Sequence, residues 1–310
     1  MERFTSRDPV PQRLRGSILA LGNFDGFHLG HQAVVNRAIA RGFHERRPVI
    51  IATFDPHPVR FFKPDVPTFR LTSLDQRERL FDQAGADAML VFQFDADLAA
   101  TGAEEFVSEI LAERVGAAGI VTGTDFTFGR GRSGSAEVLR ELGEEHGITA
   151  EALAPVLLDG EPVSSSRIRE ALAAGDPGTA THLLTRPFAV EAVVEHGDGR
   201  GRDLGYPTAN LSLGRYQRPA YGIYAVRVRL DDGSEHAGVA SFGVRPTFEP
   251  EKELLEAFLF DWSGDLYGRT IKVSLIAFIR PEEKFDSAEA LVSQMREDEA
   301  KARRLLGVPA

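Results

Sequence analysis

The hydrophobic period of the chain changes once, near residue 180, and each half of the pattern demands its own kind of sheet. From residue 17 to about 149, short apolar runs alternate with amphipathic stretches, as in βα units laid side by side on a parallel sheet. Strands are expected at 17–21, 49–54, 88–94 and 119–123, where Ile, Val, Leu and Phe dominate. Helices are expected at 32–44, 73–84, 104–115 and 135–146, with a short one at 166–174. After Gly175-Asp176-Pro177-Gly178 the runs become strand-like and alternating, at 189–195, 223–230, 236–242, 254–260 and 271–279. Turns such as Asp231-Asp232-Gly233 separate them. That pattern predicts an antiparallel sheet or closed barrel. The charged stretch 287–306, with Ala, Leu, Val and Met at helical spacing, predicts a final amphipathic helix. A chain of 310 residues has room for two cores. The boundary falls near 175–187, giving domains at 1–184 and 185–310.

There is no cysteine, which removes disulfides, thiolate catalysis and cysteine-ligated zinc or iron–sulfur sites. A formal charge of -10 argues against nucleic acid as a partner, because a long polyanion rewards a broad basic surface. Small phosphates stay open. No run reaches the roughly 20 apolar residues of a membrane span, and residues 1–15 lack the apolar stretch of a secretory signal. A cytoplasmic protein without membrane attachment is expected.

The first expected strand runs into Gly22-Asn23-Phe24-Asp25-Gly26-Phe27-His28-Leu29-Gly30-His31, and a helix begins near His31. Glycines admit a ligand close to the backbone, and a helix start offers free amides and partial positive charge, so this geometry suits phosphates. His28 and His31 can both donate to them and stabilise charge that builds at an attacked α-phosphate. Taken alone, such a pair is more often a cap or a surface feature than a catalytic site; as a zinc site it lacks a third ligand at suitable spacing. No P-loop pattern occurs.

Three more segments keep it company. Thr53-Phe54-Asp55-Pro56-His57-Pro58 ends the second strand, where α/β sheets place ligand crevices. Gly123-Thr124-Asp125 follows the fourth. Ser164-Ser165-Ser166-Arg167-Ile168-Arg169 opens a helix; its serines can cap or bind phosphate, and Arg169 can pair with phosphates. By contrast, Gly129-Arg130-Gly131-Arg132-Ser133-Gly134 matches a dinucleotide fingerprint but follows a late strand, and reads better as a mobile phosphate loop bearing Arg.

In the second half, the glycines and arginines of 197–205 could fold over phosphates, and Thr208 and Asn210 present oxygens suited to a hard cation. An exposed hairpin loop is the plain alternative. Glu256 interrupts the apolar run 254–260. It is either the solvent side of an alternating strand or an inward-pointing general base.

In order and spacing, segments 22–31, 53–58, 123–129 and 164–169 resemble the adenylyltransferase half of the bacterial bifunctional riboflavin kinase/FAD synthetase family. Segments 201–210, 243–248, Glu256, 265–268 and 280–285 resemble its kinase half, so the likeness spans roughly residues 15–306. It implies a Rossmann-like, HxGH nucleotidyltransferase domain, followed by a six-stranded antiparallel riboflavin kinase barrel and a C-terminal helix. It further implies that riboflavin is phosphorylated to FMN and FMN adenylylated to FAD, with ATP as co-substrate of both steps and Mg²⁺ as cofactor.

By the same resemblance, His28 and His31 assist adenylyl transfer, with Gly22, Phe24, Asp25, Gly30, Ser164, Ser165 and Arg169 in the nucleotide site and Asp125 on the FMN side. Gly201, Arg202, Thr208 and Asn210 bind Mg-ATP in the kinase, Thr208 and Asn210 as metal ligands, and Glu256 accepts the riboflavin hydroxyl proton. A monomer or weak oligomer is expected. The family pattern is broken at Ser166 (commonly Thr), Ala192 (Gly), Val244 (Thr or Asn) and Phe258 (His or Tyr), none of which removes a catalytic group.

Overall fold

The computed structural model describes residues 1–197, 205–245 and 252–309. The chain forms two compact units, Met1–Pro67 with Thr72–Ser164, and Thr68–Leu71 with Ser165–Ala310.

In the first unit, strands β1 (Glu2–Thr5), β2 (Ile18–Leu21), β3 (Val49–Asp55), β4 (Ala88–Gln93), β5 (Gly119–Gly123) and β6 (Thr149–Leu153) form one sheet in the order β1-β4-β3-β2-β5-β6. Every pairing is parallel. All of β2 and all but the last residue of β3 are buried, as expected for strands covered on both faces. Alternate residues serve opposite cores. Leu19, Leu21 and Ile50 pack with Phe92, Phe106 and Leu139, whereas Ile18, Ala20 and Ile51 pack with Val34, Val35 and Phe81. The chain winds outward from β2 through β3 and β4, then returns to place β5 on the other side of β2. A crevice therefore opens at the carboxyl ends of β2 and β5.

Helix Leu29–Glu45 covers one face with Val34, Val35, Ala38 and Gly42. Helix Leu74–Ala84 starts from a capping box of Ser73 and Gln76 and ends at Gly85 in the left-handed region. Stretch 104–115, expected as an ordinary helix, is wound as a π-helix over Phe106–Val115. Its buried residues are Phe106, Val107, Ile110, Leu111 and Val115. Strands β1 and β6 are additions to the sequence reading. Each lies at a sheet edge and is mostly half-buried or exposed, so it lacks the continuous apolar run that marks the central strands. A small hairpin of β7 (Leu157–Leu158) and β8 (Glu161–Pro162) precedes Ser164.

In the second unit, β9 (Ala189–Val193), β10 (Ala209–Ser212), β11 (Gly222–Arg229), β12 (Glu235–Arg245), β13 (Lys252–Leu259) and β14 (Thr270–Arg280) form an antiparallel sheet, order β10-β13-β12-β11-β14-β9. A single bridge from Glu195 to Asn210, with the Glu195 N–H donating to the Asn210 carbonyl at 2.9 Å, draws the two ends together into a near-barrel. Leu255, Ala257, Leu259, Ala240, Phe242 and Tyr224 fill its inside. On the outer face, Ala225, Val239, Phe258 and Phe260 pack against Ala302 and Leu306 of the C-terminal helix Ala288–Leu306. Arg280 clamps that helix by donating to both oxygens of the buried Asp298 carboxylate.

Two further features escape the periodicity. Asp176-Pro177, which looks like a turn, is an N-cap and first-turn proline, and it starts helix Pro177–Leu184 inside the expected boundary. Thr68–Leu71 belongs to the second unit: the Arg70 N–H donates to Arg215 O at 3.1 Å, and the Gln217 N–H to Arg70 O at 2.8 Å. Among the described residues no helix is long and apolar enough to cross a membrane.

Candidate active sites

The loop leaving β2 turns sharply, with Phe24, Gly26 and Phe27 at positive φ, before His28 caps helix Leu29–Glu45. The His31 N–H donates to His28 Nδ1 at 3.4 Å. An Nδ1 that accepts is unprotonated, so a proton on this ring sits at Nε2. The His28 and His31 rings stack with centroids 3.6 Å apart. Gly30 permits this: a Cβ there would lie 3.2 Å from His28 Cε1 and 3.4 Å from the Val163 carbonyl. The same close approach sets Val163, and hence the adjoining Ser164, beside the start of the histidine helix.

Asp25 is buried and accepts from the Thr72 N–H at 3.0 Å and the Thr72 hydroxyl at 3.3 Å, while the Gly26 N–H donates to Thr72 Oγ1 at 2.9 Å. Its carboxylate thus shapes the loop from within. Arg77, also buried, donates to Thr53 Oγ1 at 2.8 Å and to Asn23 O at 3.2 Å, tying the ends of β2 and β3 together. Gly22 continues the sheet ladder by donating to Ala52 O at 3.2 Å, and Phe24 is buried with its ring edge-on to His31. Asp125 sits exposed just past β5, the neighbour of β2. The Arg130–Arg132 loop is pinned rather than loose: Phe128 and Gly134 exchange two backbone bonds, of 3.0 and 2.9 Å, around it.

Phe61, Phe62 and Phe94 meet edge-on, with centroids 5.2 to 5.7 Å apart, just beyond the carboxyl ends of β3 and β4. Phe62 is 64% exposed. No periodicity marked this aromatic group, because Phe61 and Phe62 lie on the short helix Pro58–Phe62, which starts at a proline and follows another at 56. Likewise Thr72 and Arg77 act through folding contacts 24 to 54 residues distant, for which there is no local signal.

In the second unit Ser165 opens helix Ser165–Ala173. On it, Arg169 Nε donates to Phe69 O at 2.7 Å, and its guanidinium lies over the Phe69 ring at 4.9 Å, so the side chain is held by a carbonyl and a π-face.

On the barrel, register places Asn210 and Ser241 directly opposite Glu256, one on each side. Residues opposed in register share a face, and this row lies on the outer face with Phe258 rather than inside, which corrects the inward-pointing alternative for Glu256. The buried Asn210 amide donates through Nδ2 to Glu256 Oε1 at 3.2 Å and accepts through Oδ1 from the Gly197 N–H at 3.3 Å. Thr208, half-buried, precedes Asn210 by two positions. Gly201 and Arg202 lie outside the described residues. His196 stacks on Tyr267 with centroids 3.9 Å apart. Nearby, the Tyr221 phenol is pushed up to about 12, chiefly because it donates to the Glu253 carboxylate, with burial adding to the shift.

Among the described residues no group of three or more His, Asp or Glu side chains is arranged to hold a metal ion. Thr208 and Asn210 carry a hydroxyl and an amide oxygen, a weak set suited to a cation that arrives with phosphates supplying its other ligands.

Comparison with known proteins extends both halves. A family model described as FAD synthetase matches residues 10–167, and one described as riboflavin kinase matches residues 184–306. The chain is 38% identical over 293 residues to the bifunctional riboflavin kinase/FMN adenylyltransferase of Escherichia coli K12, covering 94% of each chain. Identity to the protein of that name from Pseudomonas fluorescens is 40% over 292 residues, covering 94% and 93%. For the one from Bacillus subtilis it is 34% over 295 residues, covering 93% and 92%. A crystal structure from Streptococcus pneumoniae described as a macrolide-efflux protein matches with a TM-score of 0.87 and 32% identity, covering 98% of this chain and 99% of that one.

Proposed function

The chain belongs to the bifunctional riboflavin kinase/FMN adenylyltransferase family, and on that premise we propose which of its own residues carry each reaction. The protein makes FMN from riboflavin and FAD from FMN, using ATP in both steps.

The kinase reaction belongs to the outer face of the barrel, in domain 185–310. Glu256 takes the proton of the riboflavin 5′-hydroxyl as that oxygen attacks the γ-phosphorus, and ADP departs. Asn210 orients Glu256 through its 3.2 Å bond. Thr208 and Asn210 offer oxygens to a Mg²⁺ ion that would bind with ATP and neutralise charge on the phosphates. Gly201 and Arg202 are assigned to the phosphates by resemblance alone.

Adenylyl transfer belongs to domain 1–184. An FMN phosphate oxygen attacks the α-phosphorus of ATP, and pyrophosphate departs. His28 donates through Nε2, and His31 beside it, with the helix amides, stabilises the charge that accumulates there. Gly22, Phe24, Asp25 and Gly30 hold the loop in shape. Ser164, Ser165 and Arg169 serve the nucleotide, and Asp125 the FMN side. The cluster of Phe61, Phe62 and Phe94, with Phe62 the most exposed, offers apolar surface for the isoalloxazine ring. Dependence on ATP fits a cytoplasmic enzyme, and the proposed assembly is a monomer or weak oligomer.

The observation that carries this reading is the row Asn210, Glu256 and Ser241 across three adjacent strands. Chromatography after incubation with riboflavin, ATP and Mg²⁺ tests it. FMN with ADP should appear first, then FAD with pyrophosphate, and chelating Mg²⁺ should stop both. Unchanged riboflavin in the complete mixture overturns it.

A further inference from the structure

Glu282 lies outside every strand, yet its carboxylate reaches back onto the row that holds Glu256. Ser241 Oγ donates to Glu282 Oε1 at 3.4 Å, and Ser241 is the residue directly opposite Glu256 in the β12–β13 ladder. Two positions on, on the same face, Gly243 leaves the space that the carboxylate occupies. A Cβ at Gly243 would fall 2.2 Å from both Glu282 oxygens, so any other residue there would expel them. Two carboxylates therefore flank one serine hydroxyl on the face proposed for riboflavin.

We propose that Glu282 is the second carboxylate of the acceptor site and grips a secondary hydroxyl of the ribityl chain, while Glu256 takes the terminal one. This rests on the kinase reading above. The chemistry fits a polyol: an ionised carboxylate only accepts hydrogen bonds, has room for several, and favours a chain of vicinal O–H donors over an alkyl chain. It also fits release of product. Once the terminal hydroxyl bears a phosphate, two nearby carboxylates repel it, so the pair favours the neutral acceptor over FMN. Glu282 thereby sets specificity without taking part in proton transfer.

The test compares riboflavin with a flavin carrying a plain 5-hydroxypentyl chain, in the full-length enzyme. Glu282→Gln should raise the KM for riboflavin about tenfold, with kcat kept within about twofold, the loss of one charge-assisted bond shared by ground and transition states. With the hydroxypentyl flavin the same variant should match wild type. Gly243→Ala, which displaces only the far end of a flexible side chain, should reproduce both results. An unchanged riboflavin KM overturns the proposal, and so does an equal rise with both flavins. Failure of the kinase reading looks different, since Glu256→Gln would then leave riboflavin turnover intact.

Discussion

Exchanging Glu256 for Gln removes proton acceptance with the least disturbance of geometry. In the wild-type protein Asn210 Nδ2 donates to Glu256 Oε1 at 3.2 Å. A glutamine keeps an acceptor oxygen for that bond but loses the basic lone pair. Asn210 itself stays fixed by the bridge to Glu195 and by its register opposite residue 256. The expected loss is therefore that of a general base alone, about 10²- to 10⁴-fold in kcat. At about 1.36 kcal/mol per factor of ten, this raises the barrier by about 2.7 to 5.4 kcal/mol. Riboflavin consumption at saturating ATP, followed by chromatography, reads the kinase step, and a parallel reaction supplied with FMN reads adenylyl transfer. The first should collapse and the second should proceed at the wild-type rate. Trp262, the one tryptophan of the chain, lies in the second unit, so its fluorescence in urea reports whether the barrel stays folded. The midpoint should hardly move, because Glu256 is half-buried on the outer face. Near-wild-type turnover of riboflavin by a folded variant refutes proton acceptance by Glu256. Parallel loss of FMN adenylylation refutes the division of labour between the domains.

His28→Ala removes both the cap and the Nε2 donor; FAD formation should fall about 10²- to 10³-fold while FMN accumulates, as chromatography will show. Asp298→Ala strips the buried partner from Arg280, and Trp262 fluorescence in urea should record a barrel less stable by about 3 kcal/mol, the lower end for a buried pair because Arg280 keeps some exposure. Asp176→Ala deletes the cap of helix Pro177–Leu184 and should cost about 1 kcal/mol at neutral pH. The Thr179 hydroxyl, and then its N–H, hold the Asp176 carboxyl below its ordinary 3.8. A depressed carboxylate stabilises the fold above its unfolded pKa and loses that contribution as pH falls through the lower folded value. The gap between wild type and variant should therefore stay constant from about pH 7 to 5 and close below 3.8, read by urea titration at each pH.

The central architecture was legible because burial on both faces writes itself into the sequence. Runs such as Ile18-Leu19-Ala20-Leu21 and Val49-Ile50-Ile51-Ala52 admit few other readings, and the alternation of 254–260 marks a sheet with two unlike faces. Edge strands β1 and β6 carry no such signature, and Asp176-Pro177 spells both a turn and a helix start. For the sites, the histidine loop and Pro207-Thr208-Ala209-Asn210 were visible as compact motifs. Their supports were not: Thr72 beneath Asp25, Arg77 between β2 and β3, and Ser241 opposite Glu256 depend on winding order and register, which no local spacing encodes. Alternation alone also left the side of Glu256 open, until the C-terminal helix showed which face it shares.

The membership of Thr68–Leu71 bears on whether the gene can be divided. A chain cut at any single peptide bond between residues 71 and 165 yields a C-terminal fragment that lacks these four residues. Such a fragment surrenders the Phe69 carbonyl and ring that hold Arg169, and the backbone of Arg70 that pairs with residues 215 and 217. Separation of the two activities into independent polypeptides thus requires a substitute for a short loan of sequence from the first half.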